Sequence, residues 1–71
     1  MRFLSLRVYI NGENREFPDT LSLDQLIKQL NLPDLRIAIE LNREVVRRAD
    51  WTFARVREGD RIEIVHFVGG G

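Results

Sequence analysis

The stretch LRVYINGENREFPDTLSLDQLIKQL, residues 6–30, contains a change of hydrophobic period that decides the fold. Its first part alternates between apolar and other side chains, with the apolar ones at Leu6, Val8 and Ile10. Its last part repeats at helical spacing, with apolar side chains at Leu23, Leu26, Ile27 and Leu30. A period of two indicates a strand with one buried face, and the i, i+3, i+4, i+7 spacing indicates an amphipathic helix. The sequence therefore predicts a strand first and a helix later.

An Asn-Gly dipeptide follows the first strand and predicts a tight hairpin turn, because both residues tolerate positive φ. Residues 13–17 should then return antiparallel to the first strand. A two-residue turn sets Phe17 beside Leu6 on the buried side, but it also sets Glu13 and Arg15 there. A bulged turn is therefore kept as an alternative.

The predicted helix carries signals at both ends. Ser22 and Gln25 have the spacing of a capping box, in which each satisfies a free backbone amide of the first turn. Asn31 is a suitable residue to end the helix in a left-handed conformation, and Pro33 cannot continue it.

The second half of the chain predicts three further strands. Alternation indicates a strand at residues 37–41, the apolar pair at 45–46 indicates a brief one, and residues 61–67 form the last. The turn before the last strand is Glu-Gly-Asp. Residues 49–56 lack a clear period, and we interpret them as an irregular or single-turn connection whose aromatic side chains, Trp51 and Phe53, cover the core.

The order strand, hairpin strand, helix, strand, short strand, strand predicts an α+β fold. A sheet and a helix each bury one apolar side, so the helix should pack across one face of a mixed sheet of four to five strands. The final strand should run parallel to the first. This is the β-grasp, or ubiquitin-like, arrangement. We expect one domain over residues 1–68, followed by a flexible glycine tail at 69–71, because glycine is costly to order.

The composition narrows the function. Eleven basic residues balance eleven acidic ones, so no excess of positive charge favours nucleic acid as a partner. The chain contains no cysteine, which excludes disulfides and thiolate metal sites. Neither a signal peptide nor an apolar run of membrane-spanning length is visible, so we expect no membrane partner and a cytoplasmic location.

No constellation of residues suggests catalysis. The chain has one lysine (Lys28), one histidine (His66) and few hydroxyl side chains, and its carboxylates are interpreted as solvated surface groups. A single histidine does not make a metal site. The favoured interpretation of His66 is a structural or surface residue, with a role in positioning the tail or a partner as the alternative. We therefore predict no catalytic and no metal-binding residues.

Val65 and Phe67 fall on the opposite alternation face from Ile62 and Ile64, just before the glycines. Exposed apolar clusters on small proteins are often interaction sites, so we treat this pair as a candidate partner-docking patch. The alternative is that Trp51 or the segment 45–55 covers it. An arginine-rich bias in the second half indicates either a solvated face or steering toward an acidic partner. Its members are Arg43, Arg47, Arg48, Arg55 and Arg57.

The three closing glycines, Gly69, Gly70 and Gly71, do not serve the stability of the fold. Without Cβ atoms they can lie extended in a narrow slot and present a carboxylate to another enzyme. A frayed or extraneous end is the alternative interpretation.

Two runs, IAIELNREVVRRADW (residues 37–51) and EGDRIEIVHFVGGG (residues 58–71), resemble the ThiS family of sulfur carrier proteins of thiamine biosynthesis. The hairpin and helix before them agree in architecture. One departure is visible: this chain has Arg47 where the family often has proline after two valines.

The resemblance implies a mechanism. The Gly71 carboxylate would be adenylated with ATP and Mg²⁺ by a ThiF-type adenylating enzyme, and cysteine-desulfurase-derived sulfur would replace the adenylate. The Gly71 thiocarboxylate would then give its sulfur to a ThiG-type thiazole synthase. Gly70 belongs to the family's terminal diglycine, and Gly69 extends the tail. The chain itself would hold no permanent cofactor.

Three other functions compete with this one. A molybdopterin synthase small subunit is a sulfur carrier with the same kind of tail and a different acceptor. A non-catalytic ubiquitin-like interaction module would carry the glycines incidentally. A stand-alone enzyme is the third, and turnover by the isolated chain would distinguish it.

Overall fold

Five strands form one mixed sheet in the computed structural model, which describes residues 5–18, 20–32 and 36–67. The elements in chain order are β1 (Ser5–Ile10), β2 (Glu13–Pro18), β3 (Leu21–Ser22), α1 (Leu23–Leu30), β4 (Ile37–Leu41), β5 (Glu44–Val46), a 3₁₀ helix (Arg48–Asp50), β6 (Arg55–Val56) and β7 (Arg61–His66). The strand order in the sheet is β2-β1-β7-β4-β5. β1 and β7 are parallel, and the other neighbours in this sheet are antiparallel. The predicted class, strand number and parallel pair are confirmed.

The first hairpin has a two-residue turn and no bulge. Asn11 and Gly12 both have positive φ, 51° and 83°, as a type I′ turn requires. Leu6 pairs with Phe17, and the same register places Glu13 and Arg15 on the core side. Both charged side chains are nevertheless exposed, because β2 is an edge strand where long polar side chains reach water beyond the core.

Helix α1 has the predicted caps. The Ser22 hydroxyl accepts a hydrogen bond from the Gln25 backbone amide at 3.2 Å, and the Gln25 side chain accepts one from the Ser22 amide at 2.9 Å. Asn31 ends the helix in the left-handed region with φ 59°. The prediction for Pro33 lies outside the described residues. The helix buries Leu23, Leu26 and Ile27 against the sheet.

The core lies between α1 and the inner face of the sheet, and side chains from every strand except β5 are fully buried in it. Its members are Leu6, Val8, Ile10, Phe17, Leu21, Leu23, Leu26, Ile27, Ile37, Ile39, Trp51, Val56, Ile62 and Ile64. Trp51 closes one side as predicted: it is buried, its indole Nε1–H donates to the Val46 carbonyl at 3.0 Å, and Arg48 stacks 4.5 Å from the ring centroid.

The prediction that Phe53 also covers the core is wrong. Its side chain is 81% exposed. The segment turns like a helix here, since the amides of Phe53 and Ala54 both donate to the Asp50 carbonyl at 3.0 Å. Helical spacing directs Trp51 and Ala54, three positions apart, toward the core and Phe53 away from it.

A second, two-stranded sheet of β3 and β6 was not predicted. Leu21 pairs with Val56, and Ser22 pairs with Arg55. The last strand ends at His66, one residue earlier than expected, although the Phe67 amide still donates to the Arg36 carbonyl at 2.9 Å. The predicted boundary between a domain at 1–68 and a tail at 69–71 lies outside the described residues. Within the described ranges, no helix is both long enough and apolar enough to cross a membrane.

Candidate functional site

Strand β7 is central to the candidate site because it leads toward the closing glycines. It lies between β1 and β4 in the middle of the sheet. Ile62 and Ile64 face the helix and are buried, whereas Glu63 and Val65 face the opposite side. Gly69, Gly70 and Gly71, the predicted tail and sulfur-carrying residues, lie outside the described residues.

The two predicted docking residues are both exposed. Val65 is 54% exposed and Phe67 is 49% exposed. The alternative interpretation was that Trp51 or the segment 45–55 covers them. It is wrong among the described residues, because Trp51 is in the core cluster with the helix-facing isoleucines of β7. The sheet therefore presents apolar side chains on its outer face, the face opposite the helix.

Strand register adds two residues to this surface. Ala38 on β4 lies directly opposite Val65 on β7. Val45 on β5 lies directly opposite Glu40 on β4. Both are exposed, Val45 to 69%. We call Ala38, Val45, Val65 and Phe67 the outer patch. The sequence predicts a strand at Val45. It does not predict that Val45 shares a face with Val65, because that depends on which strands pair.

Two carboxylates stand directly beside the outer patch. Glu40 on β4 is the cross-strand partner of Glu63 on β7, and both are on the outer face. Neither side chain makes a hydrogen bond or ion pair with another described residue. Like charges directly opposite one another repel across a strand pair. The site is thus apolar toward the end of β7, and one row further back it carries the two glutamates in a groove that Arg43 and Arg61 also line.

Two asparagines in hairpin turns form side-chain hydrogen bonds to the backbone of β7. Asn42, with φ 52° in the turn between β4 and β5, accepts from the Arg61 amide at 2.9 Å and donates to the Asp60 carboxylate at 3.0 Å. Asn11, in the first hairpin, accepts from the Ile64 amide at 2.7 Å and donates to the Ile64 carbonyl at 3.2 Å. The strand that carries the outer patch is therefore held at its first residue by Asn42 and at Ile64, next to Val65, by Asn11.

His66, the last residue of β7, follows the alternation of Ile62 and Ile64 but is exposed. It lines a shallow groove of about 250 Å³ with Leu30 and Leu32 from the end of the helix. Its position agrees with the favoured interpretation of a surface histidine. In the described ranges, no group of three or more acidic or histidine side chains is arranged to hold a metal ion.

The arginine-rich bias forms no single surface. All five side chains are exposed. Arg47 pairs with Asp50 at 3.6 Å, and Arg48 stacks on Trp51. This fits the solvated interpretation for those two residues, and steering of an acidic partner stays a prediction.

The strand that precedes the three glycines carries an exposed apolar patch. Comparison with known proteins decides the family. The model of the ThiS family matches residues 8–71, which include the outer patch and all three closing glycines. The chain belongs to the ThiS family.

Relatives and solved structures agree with membership of the ThiS family. The chain is 32% identical over 63 residues to the sulfur carrier protein ThiS of Bacillus subtilis, covering 87% of this chain and 96% of that protein. The crystal structure of the thiamine biosynthesis protein ThiS from Geobacter metallireducens superimposes with a TM-score of 0.83 at 28% identity, covering 93% of this chain and all of that one. This likeness confirms the predicted β-grasp fold.

A ThiS-like segment also occurs in a larger protein. The chain is 35% identical over 66 residues to a thiazole synthase of Paramagnetospirillum magneticum, which is 93% of this chain. The chain spans only 20% of the length of that relative.

Proposed function

We propose that this chain is a sulfur carrier protein of thiamine biosynthesis and that it is a substrate of other enzymes, with no catalytic activity of its own. The observation that carries the proposal is the ThiS family match, which extends through residue 71. The sequence also contains no recognisable set of catalytic residues. The Bacillus subtilis relative bears the name of sulfur carrier protein.

The proposed cycle begins with activation of the Gly71 carboxylate. A carboxylate oxygen attacks the α-phosphorus of ATP, pyrophosphate leaves, and the product is an acyl adenylate. The terminal sulfur of a persulfide formed from cysteine then attacks the acyl carbon, and AMP leaves with the bonding electrons. A thiol cleaves the resulting acyl disulfide, which releases the Gly71 thiocarboxylate and leaves a disulfide between the thiol and the former persulfide carrier. The adenylate is needed because AMP is a far better leaving group than the oxide ion that direct attack on a free carboxylate would have to expel. In this proposal ATP and Mg²⁺ are bound by a ThiF-type activating enzyme, and the requirement for ATP supports the proposal of a cytoplasmic location.

The outer patch is proposed as the surface by which the enzymes hold the carrier. Val65 and Phe67 are on the strand that leads into the tail, so docking there fixes the origin of the glycines at the partner's surface. Glycines without Cβ atoms can then follow a narrow channel to the reacting atoms. Recognition and chemistry are thus divided between the folded body and the tail.

The acceptor of the sulfur is proposed to be a ThiG-type thiazole synthase. The thiazole synthase of Paramagnetospirillum magneticum contains a segment similar to this chain. Carrying a donor and its acceptor in one polypeptide raises their effective concentration, which favours pairs that act on each other. A molybdopterin-type acceptor lacks such a supporting observation.

The carrier function is tested by intact-mass analysis. Protein incubated with a ThiF-type enzyme, ATP, Mg²⁺, a cysteine desulfurase with cysteine and a thiol reductant should show exchange of one oxygen for sulfur at its C-terminus. A variant with one alanine added after Gly71 is the matched control and should show no exchange. Absence of the exchanged species from the unaltered protein would contradict the proposal, and equal exchange in both proteins would contradict the assignment to Gly71.

Docking through the outer patch is tested by the steady-state kinetics of activation. Val65→Ser and Phe67→Ser should each raise the KM of the activating enzyme for the carrier roughly tenfold, since truncating a central contact typically costs more than about 1 kcal/mol. Phe53→Ser is the control, because Phe53 is equally apolar and more exposed and lies in none of the strands of the five-stranded sheet. An equal change in KM for all three variants would contradict the assignment.

A further inference from the structure

Strands β1 and β7 do not end together. β1 pairs with β7 through Ile10 and Ile62, and the Asn11 amide adds one more bond to the Ile62 carbonyl at 2.8 Å. The chain then turns away into β2, while β7 continues to His66. On its other side β7 pairs with β4 along its whole length, from Leu41 opposite Ile62 to Ile37 opposite His66. Among the described residues, the end of β7 therefore has no backbone neighbour on the β1 side.

The Asn11 side chain takes the place of that missing neighbour. Its Oδ1 accepts from the Ile64 amide at 2.7 Å, and its Nδ2 donates to the Ile64 carbonyl at 3.2 Å. A carboxamide carries the same donor and acceptor as a peptide group, so one side chain continues the ladder by one residue. The positive φ of Asn11 in the hairpin turn is the backbone conformation from which it does so.

We propose that Asn11 is a positioning residue for sulfur transfer: it fixes the end of β7 so that Val65 and Phe67, and the origin of the glycine tail, face the partner enzyme in one orientation. This inference rests on the proposed function. Ile64 is the residue immediately before Val65, so the bonds of its amide and carbonyl to Asn11 on one side of β7, added to the pairing with β4 on the other, restrict how the patch can move. In this role Asn11 acts through its two hydrogen bonds to the Ile64 backbone.

Asn42 supplies a matched comparison at the other end of the same strand. It also has a left-handed φ in a two-residue hairpin turn, and it also binds the β7 backbone, at Arg61. Glycine accepts positive φ at both positions, so Asn11→Gly and Asn42→Gly remove the side-chain bonds and keep the turns. The two variants should lose similar stability, and only Asn11→Gly should loosen the end near the tail.

The experiment measures activation kinetics and amide hydrogen exchange for the full chain and both variants. Asn11→Gly should raise the KM of a ThiF-type enzyme for the carrier roughly tenfold with kcat unchanged, because the competent orientation of β7 is populated less often. Its Ile64 amide should exchange at least roughly tenfold faster. Asn42→Gly should leave both KM and Ile64 exchange within about twofold of the unaltered protein. Asn11→Asp keeps the acceptor for the Ile64 amide, so its KM should lie between those of the unaltered protein and Asn11→Gly.

Two results would overturn the inference in different ways. If the unaltered chain is activated normally and the two glycine variants have the same KM, Asn11 is merely structural while the carrier function stands. If the unaltered chain forms no thiocarboxylate, the proposed function fails and the role of Asn11 falls with it. Should Asn11→Gly prove unfolded by circular dichroism, Asn11→Asp decides: a KM equal to that of the unaltered protein contradicts the positioning role.

Discussion

Trp51 and Phe53 stand two positions apart in environments that predict opposite responses to the same substitution. Trp51 is 3% exposed and donates a hydrogen bond to Val46, whereas Phe53 is 81% exposed. Trp51→Leu should lower the free energy of unfolding by about 2–4 kcal/mol, through lost apolar area, a cavity and an unsatisfied Val46 carbonyl. Phe53→Leu should change it by no more than about 0.5 kcal/mol. Urea denaturation followed by far-UV circular dichroism measures both, and equal losses would contradict the assigned environments.

The same two residues show what a single-residue pattern can and cannot predict. An aromatic residue in a small protein is usually needed for the core, and this expectation holds for Trp51. It fails for Phe53 because the residue's direction depends on the local turn at residues 50–54, and no hydrophobic period in the sequence reveals that turn. Asn11 is a similar case: its turn-forming role follows from the Asn-Gly dipeptide, but its bonds to Ile64 join residues 53 positions apart.

At the level of strands, neutralising each of two glutamates in cross-strand pairs should change the free energy of unfolding in opposite directions. Glu63 lies opposite Glu40, whereas Glu16 lies opposite Arg7 with a 3.1 Å contact between their charged groups. Glu63→Gln should raise the free energy of unfolding by about 0.2–1 kcal/mol, since it removes a like-charge pair. Glu16→Gln should lower it by up to about 1 kcal/mol, since it removes an exposed ion pair.

Salt provides the control for this pair. Both effects are electrostatic at exposed side chains, so both should shrink when the ionic strength is raised to about 1 M, where the screening length is about 3 Å. Thermal unfolding at low and high salt measures the difference. An effect of Glu63→Gln that is destabilising, or that is unchanged by salt, would show that repulsion across β4 and β7 is not its cause.

The helix and the first hairpin could be predicted because their signals are local. Ser22 and Gln25 specify the start of α1 within four residues, and the Asn-Gly dipeptide predicts the hairpin of β1 and β2. The sequence leaves the register open between a two-residue and a bulged turn, because the two-residue turn also sets Glu13 and Arg15 on the core side. Strands β3 and β6 could not be predicted, since two residues are too few to show a period and their pairing is set by how the loop meets the helix start. The outer patch was predicted in part: alternation gives Val65 and Phe67, whereas Val45 joins them only through strand order.

For the molecule as a whole, stability and function should separate at the glycine tail. Removal of residues 69–71 should change the free energy of unfolding by less than about 0.5 kcal/mol, because glycines offer no side chains to pack and are costly to order. The same deletion should abolish thiocarboxylate formation. Denaturant unfolding and intact-mass analysis on one preparation measure both. A large loss of stability would contradict the predicted division between a domain at 1–68 and a tail at 69–71.

The central place of β7 also bears on how the protein is made. A ribosome delivers the chain from its N-terminus, and β7 is the last strand of the sheet to emerge, yet β1 and β4 are joined only through it. Before Arg61 has been synthesised, the nascent chain has two hairpins, β1–β2 and β4–β5, that are not yet joined. The apolar face of the helix then has no complete sheet to pack against. A prematurely terminated chain would thus expose unpaired strand edges and be open to degradation. The sheet can therefore be completed only after the patch-bearing strand has been translated.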